Sequence, residues 1–293
     1  MSFSPLNKLN LLLDRSPRYT LYLIRKRYLK QERLQDFDEK HPCVFVLSTG
    51  RVGTQTLSSL FKLAKNVFAY HEPEPLLYGL SKLAYENNNK IVRKILIEAF
   101  LALRKEKIEY SLYSKRGYVE TSPHATFLAP IILEAIPNAR FIHVVRAPRY
   151  VIRSGMRRKW YNGNSADKNR IVPNPESEEG KRWESYSPFQ KNSWLWAETN
   201  KWILEFSSSL PADRIILVRS EDIFTANEEI IKKLFSFINS PMPSKRKIKH
   251  VLNKNLNIQR SGIFPEVSDW SDKMHSELFS IAGETAGILG YKF

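Results

Sequence analysis

The sequence has a single cysteine, Cys43, in 293 residues. One thiol excludes an intrachain disulfide and a cysteine metal cluster. Cys43 opens an apolar run, so a buried structural thiol is expected rather than a nucleophile. No apolar stretch reaches the ~20 residues of a membrane span. The N-terminal patch LNLLL is short, and arginines and lysines follow it instead of preceding it, which argues against a signal peptide. A reducing, cytoplasmic location is the expectation. Linkers rich in Pro, Gly or Ser, internal repeats and low-complexity tracts are also missing, so residues 41–293 are read as one main domain. Negative charge is scarce. Against 46 Lys and Arg stand 30 Asp and Glu, for a net charge of +16. Such an excess favours nucleic acid, a membrane surface, or an anionic co-substrate.

Residues 1–40 carry Arg18, Arg25, Lys26, Arg27, Lys30 and Arg33 among Leu and Tyr. They are read as a basic helical arm, first as a helix packed on the domain and second as one resting on a membrane.

What is present is an alternation of strand and helix patterns. CVFVLST (43–49), NVFAYHEP (66–73), GYVETSP (117–123), RFIHVVRAP (140–148) and RIILVRSEDI (214–223) are β-rich runs ending in polar residues. Between them lie TQTLSSLFKLA, the long LLYGLSKLAYENNNKIVRKILIEAFLALRKE, HATFLAPIILEAI and PRYVIRSGMRRKWY, all with helical character. This alternation predicts an α/β fold with a central, mainly parallel sheet covered on both faces. Ligands of such sheets bind at the carboxyl ends of the strands. Residues 162–188 lack apolar periodicity and read as a long functional loop.

The first strand end reads STGRVGTQTL. Gly50 and Gly53 permit a tight turn and close approach of a ligand. The loop amides and the N-terminus of the next helix suit a phosphate. Arg51 adds a full charge, and Thr54 and Thr56 add hydroxyls. A triphosphatase loop would continue Gly-Lys-Ser/Thr, whereas Gly53 is followed by Thr54 and Gln55, so ATP hydrolysis fits poorly. The fourth strand end reads RAPRYVIRS. Arg146 ends the strand, Pro148 starts a helix, and Ser154 lies on that helix; a guanidinium and a hydroxyl so placed could grip a second phosphate.

This pair of motifs resembles the sulfotransferases that use 3′-phosphoadenosine 5′-phosphosulfate (PAPS). The resemblance covers about residues 41–293 and implies a P-loop-like three-layer sandwich. It implies that Arg51, Val52, Gly53, Thr54, Gln55 and Thr56 hold the 5′-phosphosulfate, and that Arg146 and Ser154 hold the 3′-phosphate. QRSGIF, with Arg260, Ser261 and Gly262, resembles the family loop that folds over the nucleotide. RIILVRSEDI looks like the family's Arg-Tyr-Glu-Asp type of segment. Arg51 stands where cytosolic small-molecule members usually have lysine, which is more like the tyrosylprotein and the bacterial or carbohydrate branches. ETSPHAT is similar to the EKSP stretch of heparan-type members, with Thr121 in place of lysine.

The implied reaction moves a sulfuryl group to an acceptor hydroxyl, with carbohydrate or glycolipid the expected acceptor. No metal is needed if the protein neutralises the leaving phosphate, for which Arg51 is placed. A base must take the acceptor proton. Glu72 is the first choice and His71 the second, with Glu74 and Glu120 behind them. Neighbours on a strand face opposite ways, so only one of the pair 71–72 is expected to face the acceptor unless the strand ends first. His143 is expected as a core histidine. The acceptor wall is expected from Trp160, Tyr161, Trp183 and Tyr186 beside Arg157, Arg158, Lys159, Lys181 and Arg182. Two other classes compete. Nucleic-acid binding suits the charge but finds no motif, and a P-loop kinase lacks its lysine.

Overall fold

A computed structural model describes residues 37–254 and 262–292, apart from residues 39 and 88. The proposed arm at 1–36 and the loop residues Arg260 and Ser261 lie outside the described residues.

Five strands form one sheet in the order β2-β3-β1-β4-β5, every neighbouring pair parallel. They are β1 (Cys43–Leu47), β2 (Val67–Tyr70), β3 (Gly117–Glu120), β4 (Arg140–Val145) and β5 (Ile215–Arg219). Each lies within the run the sequence marked for it. The period of two sends alternate residues to opposite faces, and both faces are buried. Val44 and Val46 of β1 join one core with Val67, Ala69, Val119, Ile142 and Val144. Cys43, Phe45 and Leu47 join the other with Tyr118 and Phe141. Continuous apolar runs are what a doubly covered parallel sheet requires. Cys43 is wholly buried, and burial raises its thiol pKa well above the usual range.

The first core is closed by α1 (Thr54–Phe61), through Leu57, Leu60 and Phe61. The second is closed by α3 (Lys90–Tyr113), through Leu96, Phe100 and Ile108, and by α4 (Ala129–Ala135). The single long helix expected over 76–106 is instead two, α2 (Tyr78–Glu86) and α3. The break falls at the asparagine run, where Asn89 caps α3 by accepting from the amide of Ile91 at 2.7 Å. Asparagine is a strong N-cap and a poor helix interior, so capping wins over continuity.

The later elements are α5 (Pro148–Arg157), α6 (Glu178–Arg182), α7 (Pro188–Ser208), α8 (Ser220–Phe224), α9 (Glu228–Phe237), α10 (Lys245–Leu252) and α11 (Asp272–Ile288). Ser187 and Gln190 form a reciprocal capping box on α7. The segment 162–188 is not wholly irregular. It holds α6 and two 3₁₀ turns, and its Ile171 and Trp183 are buried in a small aromatic cluster with Trp160, Trp194 and Phe127.

Candidate active site

Parallel strands put every carboxyl end at one edge, and a cavity of about 950 Å³ opens there. Residues 48–51 after β1, 71–72 after β2, 123–124 after β3 and Arg146 after β4 all line it. Five strands thus converge four chain segments that are far apart in sequence.

The first loop is built by glycine conformations. Gly50 and Gly53 have φ of 79° and 87°, and Arg51 between them has φ of 59°. Gly53 is the N-cap of α1 and brings no side chain to cap it. Its first-turn amides therefore face the cavity wall formed by Gly53, Thr54, Gln55 and Thr56, where the helix dipole favours an anion. A Cβ on Gly53 would meet the Phe224 ring at 2.7 Å. Val52 turns away into the core, 1% exposed, and its carbonyl accepts the Ser220 hydroxyl at 2.7 Å.

The second motif is tied to the first. Nε of Arg51 donates to the hydroxyl of Ser154 at 3.0 Å, and Arg146 donates to the Arg51 carbonyl at 3.2 Å. Trp196 donates from its indole to the Arg146 carbonyl at 2.9 Å. The SEDI segment completes the frame. Glu221 accepts from the Ala147 amide at 2.9 Å and from the Tyr291 hydroxyl at 3.0 Å. Burial, then the charges of Arg158 and Arg146, lower the Arg51 pKa to about 10. Burial likewise lowers that of Arg146. Both stay cationic at neutral pH, and crowding of cations in a half-buried cleft is relieved by a bound anion. The residues present therefore fit a nucleotide carrying two phosphate-like groups.

Among the described residues, Glu72 is the only carboxylate on the cavity wall. β2 has already ended at Tyr70, and Glu72 adopts φ of 43°. Both His71 and Glu72 consequently line the cavity, the case that the alternation rule left open for a strand that ends first. The Nδ1 of His71 lies 2.9 Å from the Thr121 carbonyl. A carbonyl only accepts, so Nδ1 carries the hydrogen, and in the neutral ring Nε2 holds the lone pair. That nitrogen stands 3.9 Å from Glu72 Oε1.

The lesser base candidates lie elsewhere. Glu120 is fully buried and paired with Arg104, at 2.9 and 3.2 Å, and it accepts the Tyr118 hydroxyl at 2.6 Å. Glu74 accepts from the Leu76 amide. His143 is a core residue 2.9 Å from Asn200, and burial lowers its pKa to about 4.

Of the proposed acceptor wall, Trp160, Arg157, Arg158 and Lys159 line the cavity. Tyr161, Trp183 and Tyr186 pack with one another in the aromatic cluster instead. Lys181 and Arg182 sit on exposed α6 beside Glu178. Among the wall residues that escaped the sequence reading are His124, Tyr78 and Arg170. His124 follows β3, so the rule of polar strand ends could have found it. Burial, then Arg170, His71 and Arg104, lower its pKa to about 3. Tyr78, on α2, sits against it. Arg170 lies over the Trp160 ring at 4.1 Å and pairs with Asp167, and no local pattern marks it. Gly262 also lines the cavity. Its φ is 85°, and a Cβ there would lie 1.9 Å from the Arg157 carbonyl, so only glycine fits.

A model of the sulfotransferase family matches residues 42–244. The fold is similar to that of a sulfotransferase domain from the curacin biosynthetic pathway, 18% identical, over 86% of this chain and 99% of that one, with a TM-score of 0.53. It is also similar to a sulfotransferase from Mycobacterium avium, 10% identical, over 99% and 88% of the two chains, with a TM-score of 0.52. Comparison with curated protein sequences returns no match. Among the described residues no group of His, Cys, Asp and Glu could hold a metal, and no helix is long and apolar enough to cross a membrane.

Proposed function

The chain belongs to the sulfotransferase family, and on that premise we propose that it transfers the sulfuryl group of PAPS to the hydroxyl of a carbohydrate or glycolipid. One observation carries the reading. Two arginine-bearing strand ends meet at one cavity, joined by Arg51 to Ser154 and by Arg146 to the Arg51 backbone, with a base candidate on the same wall.

The 51–56 loop and Arg51 would hold the 5′-phosphosulfate, and Arg146 with Ser154 the 3′-phosphate. PAPS supplies an activated sulfuryl group and a phosphate leaving group. Glu72 takes the proton of the acceptor hydroxyl as that oxygen bonds to sulfur. Arg51 and the α1 amides stabilise charge growing on the leaving phosphate, a preorganised electrostatic role. His71 lies beside Glu72 and stands second in line for the proton. Trp160, Tyr78 and Phe127 give the cavity aromatic faces that suit sugar rings.

Thermal shift tests the reading. Adenosine 3′,5′-bisphosphate should raise Tm by several degrees at a hundredfold excess over Kd, where linkage gives about 2.7 kcal/mol. ATP with magnesium should do much less. An equal or larger shift with ATP and magnesium would turn the assignment toward a kinase. Mass spectrometry with labelled PAPS then identifies the sulfated product.

A further inference from the structure

We infer that the acceptor is lipid-linked, and that its apolar tail occupies a second pocket of about 360 Å³ beside the active-site cavity. The inference rests on the sulfotransferase reading and names the substrate class within it.

A single helix face leads from the cavity to this pocket. Tyr78, Ser81 and Lys82 of α2 line the cavity, and Ala84 and Tyr85 of the same helix line the pocket. Positions 78, 81, 82 and 85 follow the i, i+3, i+4, i+7 spacing of one helical stripe. At 1.5 Å per residue, Tyr78 and Tyr85 stand about 10 Å apart along the axis. Across from the stripe, Phe127 lines both spaces. Its ring makes edge contacts with Tyr85 at 4.9 Å and Trp202 at 5.1 Å. The Phe127 ring thus closes the way between the two spaces, and an acceptor whose polar head lies beside Glu72 would reach the pocket along α2 by displacing that ring.

The two spaces differ in chemistry. The active-site cavity is rich in arginine and lysine and suits anions and hydroxyls. The pocket presents Ala84, Tyr85, Phe127, Ile131, Trp202 and Phe206, with Asn87 and Glu205 also on its wall, and its one cation, Arg93, is paired with Glu134. Those walls suit an alkyl or acyl chain.

Calorimetry on the full chain saturated with adenosine 3′,5′-bisphosphate tests this, with methyl, butyl and octyl β-D-glucopyranoside as probes below their micelle concentrations. Binding of the bisphosphate itself checks the underlying reading, since its failure would sink that reading and not only the tail site. With the nucleotide bound, octyl should bind at least tenfold more tightly than butyl, because each buried methylene is worth about fourfold. Ala84→Phe should fill the pocket and abolish the octyl advantage while leaving bisphosphate affinity within twofold. Ala84→Leu, a smaller intrusion, should reduce the advantage and serves if the phenylalanine variant does not fold. Equal affinity for butyl and octyl, no glucoside binding to the nucleotide-loaded protein, or an octyl advantage untouched in both variants overturns the inference.

Discussion

The guanidinium of Arg51 donates through Nε to the hydroxyl of Ser154, 3.0 Å away and 103 positions on in the chain. The bond joins the loop after β1 to the helix after β4, so the two motifs proposed to bind phosphate are physically linked. Arg51→Ala should lower kcat by about 10²–10³-fold as well as weaken PAPS binding, because charge on the leaving phosphate grows in the transition state. Ser154→Ala should cost less and act mainly on KM. In the double variant the two losses should fail to add by about 0.5–3 kcal/mol, the usual coupling of groups in contact. Steady-state kinetics of the four proteins decides it. A raised KM with unchanged kcat for Arg51→Ala would restrict that residue to ground-state binding.

Arg146 has two jobs that a ligand pair can separate. It is assigned to the 3′-phosphate, and it also holds the Arg51 carbonyl. Arg146→Ala should weaken adenosine 3′,5′-bisphosphate by about 1.5–3 kcal/mol, the worth of a charged hydrogen bond. Adenosine 5′-phosphate should lose less, through loosening of the first loop alone. Calorimetry with both ligands measures the difference, and equal losses would remove Arg146 from the 3′ site.

The sheet and both motifs were legible because each is written on one contiguous stretch. Strands buried on two faces are unbroken apolar runs, and a phosphate loop is a few consecutive residues between a strand and a helix. The wall opposite was not legible. Tyr78, His124 and Arg170 become neighbours only through folding, and while His124 follows a strand end, nothing in the surroundings of Tyr78 and Arg170 distinguishes them from other helix and loop residues. His71 and Glu72 were both named from the sequence, and alternation along the strand stops short of them. The strand ends at Tyr70, and the left-handed backbone of Glu72 turns both side chains to the cavity.

Buried His143 and half-buried His124 set an acid limit on stability. The pKa values of His124 and His143 fall to about 3 and about 4 in the fold, from 6.5, chiefly through burial. The unfolded chain takes up protons at these sites below pH 6.5 that the folded chain refuses. Stability therefore declines as pH drops from 6.5 toward 4, with a slope approaching about 1.4 kcal/mol per pH unit for each histidine. Urea unfolding of the wild type and of the His124→Gln/His143→Gln double variant, between pH 7 and 5, isolates this from carboxylate titration. The variant should show the flatter profile, and identical slopes would mean that neither imidazole is held neutral.

Glu72 combines a strained backbone with the sole carboxylate on the described cavity wall. A non-glycine residue in the left-handed region costs about 1–2 kcal/mol, and such strain gathers at functional sites. Glu72→Gln keeps the shape, removes the basicity, and should cut sulfuryl transfer about 10²–10⁴-fold with PAPS affinity nearly intact. Glu72→Gly should be equally inactive yet raise stability by about 1 kcal/mol, since glycine accepts φ of 43° without the steric penalty. His71→Ala should cost less. Its Nδ1 is committed to Thr121, and in the neutral ring its Nε2, 3.9 Å from Glu72, carries a lone pair and has no hydrogen to donate to the carboxylate. Kinetics and urea unfolding on the three variants give both readouts. If His71→Ala abolishes transfer while Glu72→Gln stays within a few-fold of wild type, the base is His71 through Nε2, oriented by Thr121. If Glu72→Gly is no more stable than wild type, the left-handed turn carries no strain, and the structural half of the case for Glu72 fails.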